Sequence, residues 1–224
     1  MSDNARYNQK MENKVECPGG NVRDHENYND KFFARIAPFY DLLRFIFPPV
    51  RRKAATLLSA PSGSSIIDVA TGTGNQALEF AKRHNDVTGV DLSRAMLERA
   101  GKRVKPSLRL KFLRANAACL PFKDGSFDYA SISLALHDMP GEVEIAVLKE
   151  MRRVTKPSGE ILIVEYENLS HGLKSALNSL IRLYESKYYR DFARRDLRGL
   201  LAEAGLTVKR EANILGIFRA VVAG

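Results

Sequence analysis

The chain has 224 residues, 45% of them apolar and 27% charged, which suits one full domain with an appendage or two small ones. A domain of this size buries about 70% of its unfolded surface and needs no disulfide or metal staple. The formal net charge of +9 admits contact with nucleic acid or an anionic membrane, but Lys and Arg are spread without a long basic run, which disfavours a dedicated nucleic-acid binder.

The cysteines, Cys17 and Cys119, stand far apart. There is no CxxC and no Cys/His ligand spacing, so no metal site is expected and a reducing compartment is the default. The start MSDNARYNQK has no apolar signal core, and no run of about 18 apolar residues follows. A soluble, cytoplasmic protein is expected. Residues 1–28 are Asn-rich and polar and read as a flexible tail. Residues 29–60 change character: Phe32, Phe33, Ile36, Phe39, Tyr40, Leu43, Phe47 and Leu57 recur at helical intervals, broken by Pro38 and by Pro48-Pro49. They predict short amphipathic helices, suited to a lid over a binding site. Their aromatic residues beside Arg44, Arg51, Arg52 and Lys53 also admit contact with a membrane surface.

From residue 61 strands and helices alternate. SSIIDVA, DVTGVDL, LRLKFLRAN, FDYASISLAL and EILIVEY read as five strands. Asn75–Arg83, Ser93–Val104 and Glu142–Val154 read as the helices between them, with turns at Lys123–Gly125 and Pro157–Gly159. After a helical insertion at 172–189, the helix RRDLRGLLAEAG ends at Gly205, and LTVKREAN with ILGIFRAVVAG pair as a closing antiparallel hairpin. Such alternation predicts a Rossmann-like α/β fold, a seven-stranded mostly parallel sheet with helices on both faces.

The chemistry concentrates in IIDVATGTGNQAL. A buried strand ends at Asp68, the chain turns through Gly72 and Gly74, and a helix begins. Glycines there let a ligand approach the backbone, and the free N–H groups of the helix start can receive an acidic group. Asp91 ends the next strand, where a carboxylate accepts ribose hydroxyls. Together they point to an adenosine cofactor. Asp91 could also serve as a helix cap, Asn116 as a turn residue, and Met96 as plain core.

DVATGTG, GVDLSRAML, LPFKDGSFDYASISLAL and EMRRVTKPSGEILIVEY resemble, in order, the motifs of class I S-adenosylmethionine-dependent methyltransferases. The likeness is closest to the ubiquinone/menaquinone-biosynthesis C-methyltransferase group. The resemblance implies that Asp68, Ala70, Gly72 and Gly74 surround the methionine part of the cofactor and that Asp91 holds its ribose. It places Leu92 and Met96 against the adenine, and Asn116 and Ala117 where the family has an Asp facing the adenine amino group. Ser133 and Leu134 would line the cleft where donor and acceptor meet, with Tyr40 at the cofactor's edge. Besides Asn116 in place of Asp, two further departures stand out. Ala70 occupies a frequent glycine position, and His137-Asp138 replaces an Arg-Asn pair of the quinone enzymes.

The sulfonium supplies the activated methyl, so the protein has mainly to bind and align. If a proton must leave the acceptor, His137 is the candidate base, with His171 and Tyr166 behind it. Tyr184, Tyr188, Tyr189 and Arg190 are candidate walls of an acceptor pocket. The expected acceptor is a small molecule methylated at carbon or oxygen, with S-adenosylhomocysteine as coproduct and no metal. The protein would be a monomer or homodimer. A nucleic-acid methyltransferase is the alternative, although the Asn/Asp-Pro-Pro-aromatic signature of base-amine enzymes is replaced here by SLALHDMP. A nicotinamide-dependent oxidoreductase is disfavoured further, since no tyrosine has a lysine four residues on.

Overall fold

The computed structural model describes residues 48–167 and 188–224. The tail at 1–28, Tyr40, His171, Tyr184 and all but the end of the 172–189 insertion lie outside the described residues.

Helix α1 (Pro48–Leu58) opens the described chain. Its two prolines occupy the first turn, where a missing N–H costs nothing and the fixed φ suits a helix start. Strands and helices then alternate as β1 (Ser65–Val69), α2 (Asn75–Ala81), β2 (Asp86–Asp91), α3 (Arg94–Gly101), β3 (Leu110–Arg114) and β4 (Phe127–Ser133). A 3-10 turn at Leu136–Asp138 leads to α4 (Gly141–Val154) and β5 (Thr155–Tyr166). The short α5 (Tyr189–Phe192), α6 (Leu197–Glu203), β6 (Val208–Ile214) and β7 (Phe218–Ala223) complete the set.

The sheet has seven strands in the order β3-β2-β1-β4-β5-β7-β6. The first five are mutually parallel, and β7 runs antiparallel to both β5 and β6. The predicted architecture is therefore the observed one. Strand order reverses at β1, with β2 and β3 laid down on one side of it and β4 and β5 on the other, and the crevice above that switch point is where open α/β sheets bind ligands.

Strand periodicity sorts the core into two layers. Ile66, Val87, Leu162, Val164, Phe218 and Val222 face α1 and α2, packing on Val50, Ala54, Leu58, Ala77 and Phe80. Ile67, Val69, Val90, Ile132, Ile161, Ile163 and Val221 face α4 and α6, packing on Val147, Leu148, Met151, Leu200 and Leu201. Thus the described end of the 29–60 stretch lies on the sheet as a core helix, its apolar side against the central strands.

Several boundaries differ from the sequence expectation, and three of them have a clear local reason. The fourth strand stops at Ser133 instead of running to Leu136, because Leu134 takes a left-handed φ of 54° and the 3-10 turn follows. Pro157-Ser158-Gly159 is a bulge inside β5 rather than a turn before it: Phe127 pairs with Thr155 and Tyr129 with Glu160, so the intervening residues bow out of the ladder. The last helix starts at Leu197, not Arg194, because the Asp196 side chain accepts the N–H groups of Arg198 and Gly199, each at 3.2 Å.

Candidate active site

Asp68 is the fourth residue of β1 and points to the α1/α2 side of the sheet, alternating with Ile67 and Val69. It is 1% exposed. One carboxylate oxygen accepts the Thr71 hydroxyl at 2.6 Å, and the other accepts the Ser131 hydroxyl at 2.5 Å from the neighbouring strand β4. Burial pushes its pKa up, opposed by those two hydroxyls and by the Arg51 charge on α1. Ser131 and Thr71 were not singled out from sequence, and Arg51 was read only as a basic residue beside the aromatic helices. For Ser131 the signal existed, because period 2 along β4 puts Ser131 and Ser133 on one face, and parallel pairing places Ser131 beside Asp68.

The turn after β1 is built from left-handed residues: Ala70 at φ 50°, Gly72 at 55° and Gly74 at 76°. Gly74 is the N-cap of α2. A side chain there would lie 2.6 Å from the Phe112 ring of β3, which packs under the loop. At Gly72 a side chain would meet nothing within 4 Å. That glycine faces open space, as a backbone presented to a ligand must. Ala70 carries a Cβ in a conformation that disfavours one.

Asp91, at the end of β2, closes the loop from the other side. One of its oxygens accepts the Gly72 N–H at 2.7 Å and the other the Ser93 N–H at 2.8 Å. It therefore links the glycine loop to the start of α3, acting as the cap that Ser93 itself does not supply. Burial raises its pKa to about 6, against the pull of the two N–H groups. Arg103 fixes the far side of the loop, donating to the Thr73 carbonyl and the Asn75 side chain, both at 2.7 Å.

The other residues expected at the site lie after β2 and β3, on α3 and at the end of β4. Leu92 is half-buried and its carbonyl accepts from Arg114 at 2.9 Å. Met96 on α3 is 1% exposed. Asn116 follows β3 and its side-chain oxygen accepts the Ala118 N–H at 2.9 Å, with the half-buried Ala117 between them. In this arrangement Asn116 is a turn-forming residue. Ser133 and Leu134 are half-buried at the end of β4, where the Leu134 N–H reaches the Val164 carbonyl at 2.8 Å.

His137 occupies a different environment from that expected of a base. It is 1% exposed, with Nδ1 2.6 Å from Glu165 and Nε2 3.6 Å from Asp138. Glu165 is fully buried and its other oxygen accepts the Ala135 and Leu136 N–H groups at 3.0 and 2.8 Å. Tyr166, Tyr189 and Phe192 surround the ring. Nδ1 is thus held by Glu165, while Nε2 faces Asp138 at more than hydrogen-bond distance. Sequence reasoning missed Glu165, whose position in the apolar run EILIVEY marked it only as a strand residue. Nearby Glu144 pairs with Arg195 at 3.0 Å, and burial still raises its pKa to about 7.

This arrangement of strand, glycine turn, helix and two acidic residues has counterparts among known proteins. Residues 66–159 match a family described as a methyltransferase domain. A demethylmenaquinone methyltransferase of Bacillus licheniformis is 34% identical over 118 residues, about half of either chain. A ubiquinone/menaquinone biosynthesis C-methyltransferase of Bdellovibrio bacteriovorus is 35% identical over 153 residues, 65% of this chain and 64% of the relative. The chain thus spans between half and two thirds of the length of these relatives. Among solved structures, a methyltransferase from a Haloferax volcanii complex with a methyltransferase activator superposes with a TM-score of 0.69. That match has 18% identity and covers 87% of this chain and 96% of the other, a likeness of fold. Residues 66–159 thus match a methyltransferase domain, and the chain is similar in sequence to quinone-biosynthesis methyltransferases and in fold to solved methyltransferases.

Proposed function

We propose that this protein moves a methyl group from S-adenosylmethionine to a carbon or oxygen of a small, quinone-like acceptor. The observation that carries the reading is Asp91 holding the Gly72 and Ser93 N–H groups above the switch point, beside a glycine with open space over it. The residues present suit the cofactor. Each Asp91 oxygen accepts one N–H and keeps a lone pair for a ribose hydroxyl. Asp68, whose carboxylate ends β1 beneath the loop, suits a cationic amino group better than a pyrophosphate. Leu92, Met96, Asn116 and Ala117 would bound the adenine, and Ala70, Gly72 and Gly74 the methionine chain.

When bound, the cofactor supplies a methyl already activated as a sulfonium. The chain's own residues then have to orient the acceptor and exclude water, since alignment of reacting atoms at about 3–3.5 Å supplies much of the rate. Ser133 and Leu134 form the floor of that cleft. Leu134 is held in its left-handed conformation by the Val164 carbonyl and by the adjoining turn that Glu165 anchors. His137 and Glu165 fit a positioning role, keeping that turn in place, better than they fit proton removal. Quinone-type relatives support the acceptor class, and the replacement of their Arg-Asn pair by His137-Asp138 bears on which ring is accepted. The nucleic-acid alternative gains nothing from the site.

Thermal unfolding with S-adenosylmethionine, S-adenosylhomocysteine, NAD(H) and no ligand tests the cofactor. A ligand at about 100 times its Kd adds roughly 2.7 kcal/mol, which for a domain of this size raises Tm by about 5–11 °C. The two sulfur nucleosides are expected to give that shift. A shift with NAD(H) alone overturns the reading. Turnover with a hydroquinone, read as methylated product by mass spectrometry, tests the acceptor.

A further inference from the structure

We infer that the face formed by α3 and β3 rests on the anionic headgroups of a lipid bilayer. The inference rests on the quinone-like acceptor proposed above and says where the enzyme meets it. Eight basic residues and one acid, Glu98, fall between Arg94 and Arg114. By count, that stretch holds most of the positive surplus of a chain whose net charge is +9.

These residues form no contiguous run, but the fold gathers them along one edge of the sheet. β3 is the outermost strand, and α3 packs beside it, with Ala100 and Phe112 meeting under Gly74. Arg94, Lys102, Lys105, Arg109, Lys111 and Arg114 are exposed. Glu98 pairs with Arg94 at 3.1 Å and Asp86 with Arg109 at 2.7 Å, and by count the face stays strongly positive.

The rest of the stretch narrows the partner. Its one aromatic ring, Phe112, is tucked under the glycine turn, which leaves no platform on which the bases of a nucleic acid stack. Lysine on an outermost strand discourages another strand from pairing there, which disfavours an extended protein segment. The exposed uncharged positions are Gly101, Pro106 and Ser107, which suit adsorption to headgroups better than insertion among acyl chains. Each Lys or Arg held near an anionic leaflet strengthens such adsorption about fivefold.

The face also borders the site. Arg114 donates to the Leu92 carbonyl, and Arg103 to the Thr73 carbonyl of the glycine turn. The end of β4, with Ser133 and Leu134, lies three strand positions from β3, or about 14 Å at the usual strand spacing. An acceptor carrying a long apolar chain spans that distance with its chain still in the bilayer.

The test sediments the full chain with mixed phosphatidylglycerol and phosphatidylcholine vesicles, and with phosphatidylcholine vesicles alone. Binding is expected to the mixed vesicles, and to disappear as salt rises toward about 1 M, where charges are screened beyond about 3 Å. Lys102→Gln/Lys105→Gln/Lys111→Gln should weaken it at least about thirtyfold. Lys123→Gln/Lys149→Gln/Lys209→Gln removes the same charge from exposed positions off this face and should weaken it by less than about threefold. Both triple variants should keep the wild-type affinity for S-adenosylhomocysteine. No binding to the mixed vesicles, equal binding to the neutral ones, or equal weakening by the two triple variants overturns the inference. So does tighter binding to polyuridylate than to the mixed vesicles at equal phosphate concentration, which would assign the face to nucleic acid. A wild type that binds the mixed vesicles but methylates no hydroquinone overturns the acceptor reading instead, which separates the two failures.

Discussion

Asp91 shows how one side chain can serve fold and site together. Its carboxylate ties Gly72 to Ser93, yet burial lifts its pKa from 3.8 to about 6. An acid that binds its proton more tightly folded than unfolded lends most stability below its unfolded pKa, and that contribution is lost as pH rises through the folded value. Between pH 4 and 6 the wild type should therefore lose stability, by at most about 3 kcal/mol from this group, and Asp91→Asn should flatten that stretch of a denaturation-versus-pH profile. Affinity for S-adenosylhomocysteine should move the opposite way, falling as pH drops below about 6 and one acceptor is protonated. Asp91→Asn should weaken it at least about tenfold at pH 7.5, since a charge-assisted hydrogen bond contributes about 1.5–3 kcal/mol. A variant with wild-type affinity would remove Asp91 from the ribose site. The paired acids Asp68 and Asp91 were legible in the sequence because each ends an apolar run. The link of Ser131 and Arg51 to Asp68 was not legible, since it crosses between elements.

The turns between elements carry strain and anchoring that local patterns do not disclose. Leu215 is 64% exposed at φ 58°, followed by Gly216 at 67°, in the tight turn joining β6 to β7. Two left-handed residues in sequence suit the twist of a hairpin, but asparagine fits the first position and leucine does not. Leu215→Asn should raise stability by about 1 kcal/mol, measured by urea unfolding, with cofactor affinity unchanged. A loss of stability would mean that the leucine side chain does more than cover solvent-facing surface. Glu165 is the opposite case. Two backbone N–H groups and His137 converge on it in a fully buried position. Glu165→Ala would orphan all three, at a cost of about 3–5 kcal/mol. His137→Gln should cost less, because the backbone anchors of the 3-10 turn survive. Equal losses in the two variants would show that the histidine, and not the turn, is what Glu165 supports.

At the scale of the molecule, the hairpin that ends the chain is structural in a way its position conceals. β7 lies between β5 and β6 and so completes the interior of the sheet. Phe218, fully buried, packs against Tyr166 with ring centroids 5.6 Å apart, in the layer that α1 covers. Phe218→Ala should cost about 3–5 kcal/mol and lower the urea midpoint without altering the slope. A changed slope would indicate that the hairpin unfolds separately from the parallel part of the sheet.

The order of strands and helices was readable because each strand is a short apolar run closed by Gly, Pro or Asp. The glycine turn between Asp68 and Asn75 was readable because only a few residue types tolerate its left-handed backbone. These are local constraints, and they determined the α/β class and the glycine turn flanked by Asp68 and Asp91. Where β4 stops, why Pro157–Gly159 bows out of β5, and which groups face His137 depend on pairing and burial between residues distant in the chain. His137 suggested a base because an isolated histidine titrates near neutrality. Tertiary structure instead surrounds its ring with Glu165, Asp138 and three aromatic side chains. The sequence determined what can be held, because backbone conformation is local. The tertiary structure decided which polar groups are already satisfied and which are left to meet a ligand, because satisfaction is a property of neighbours.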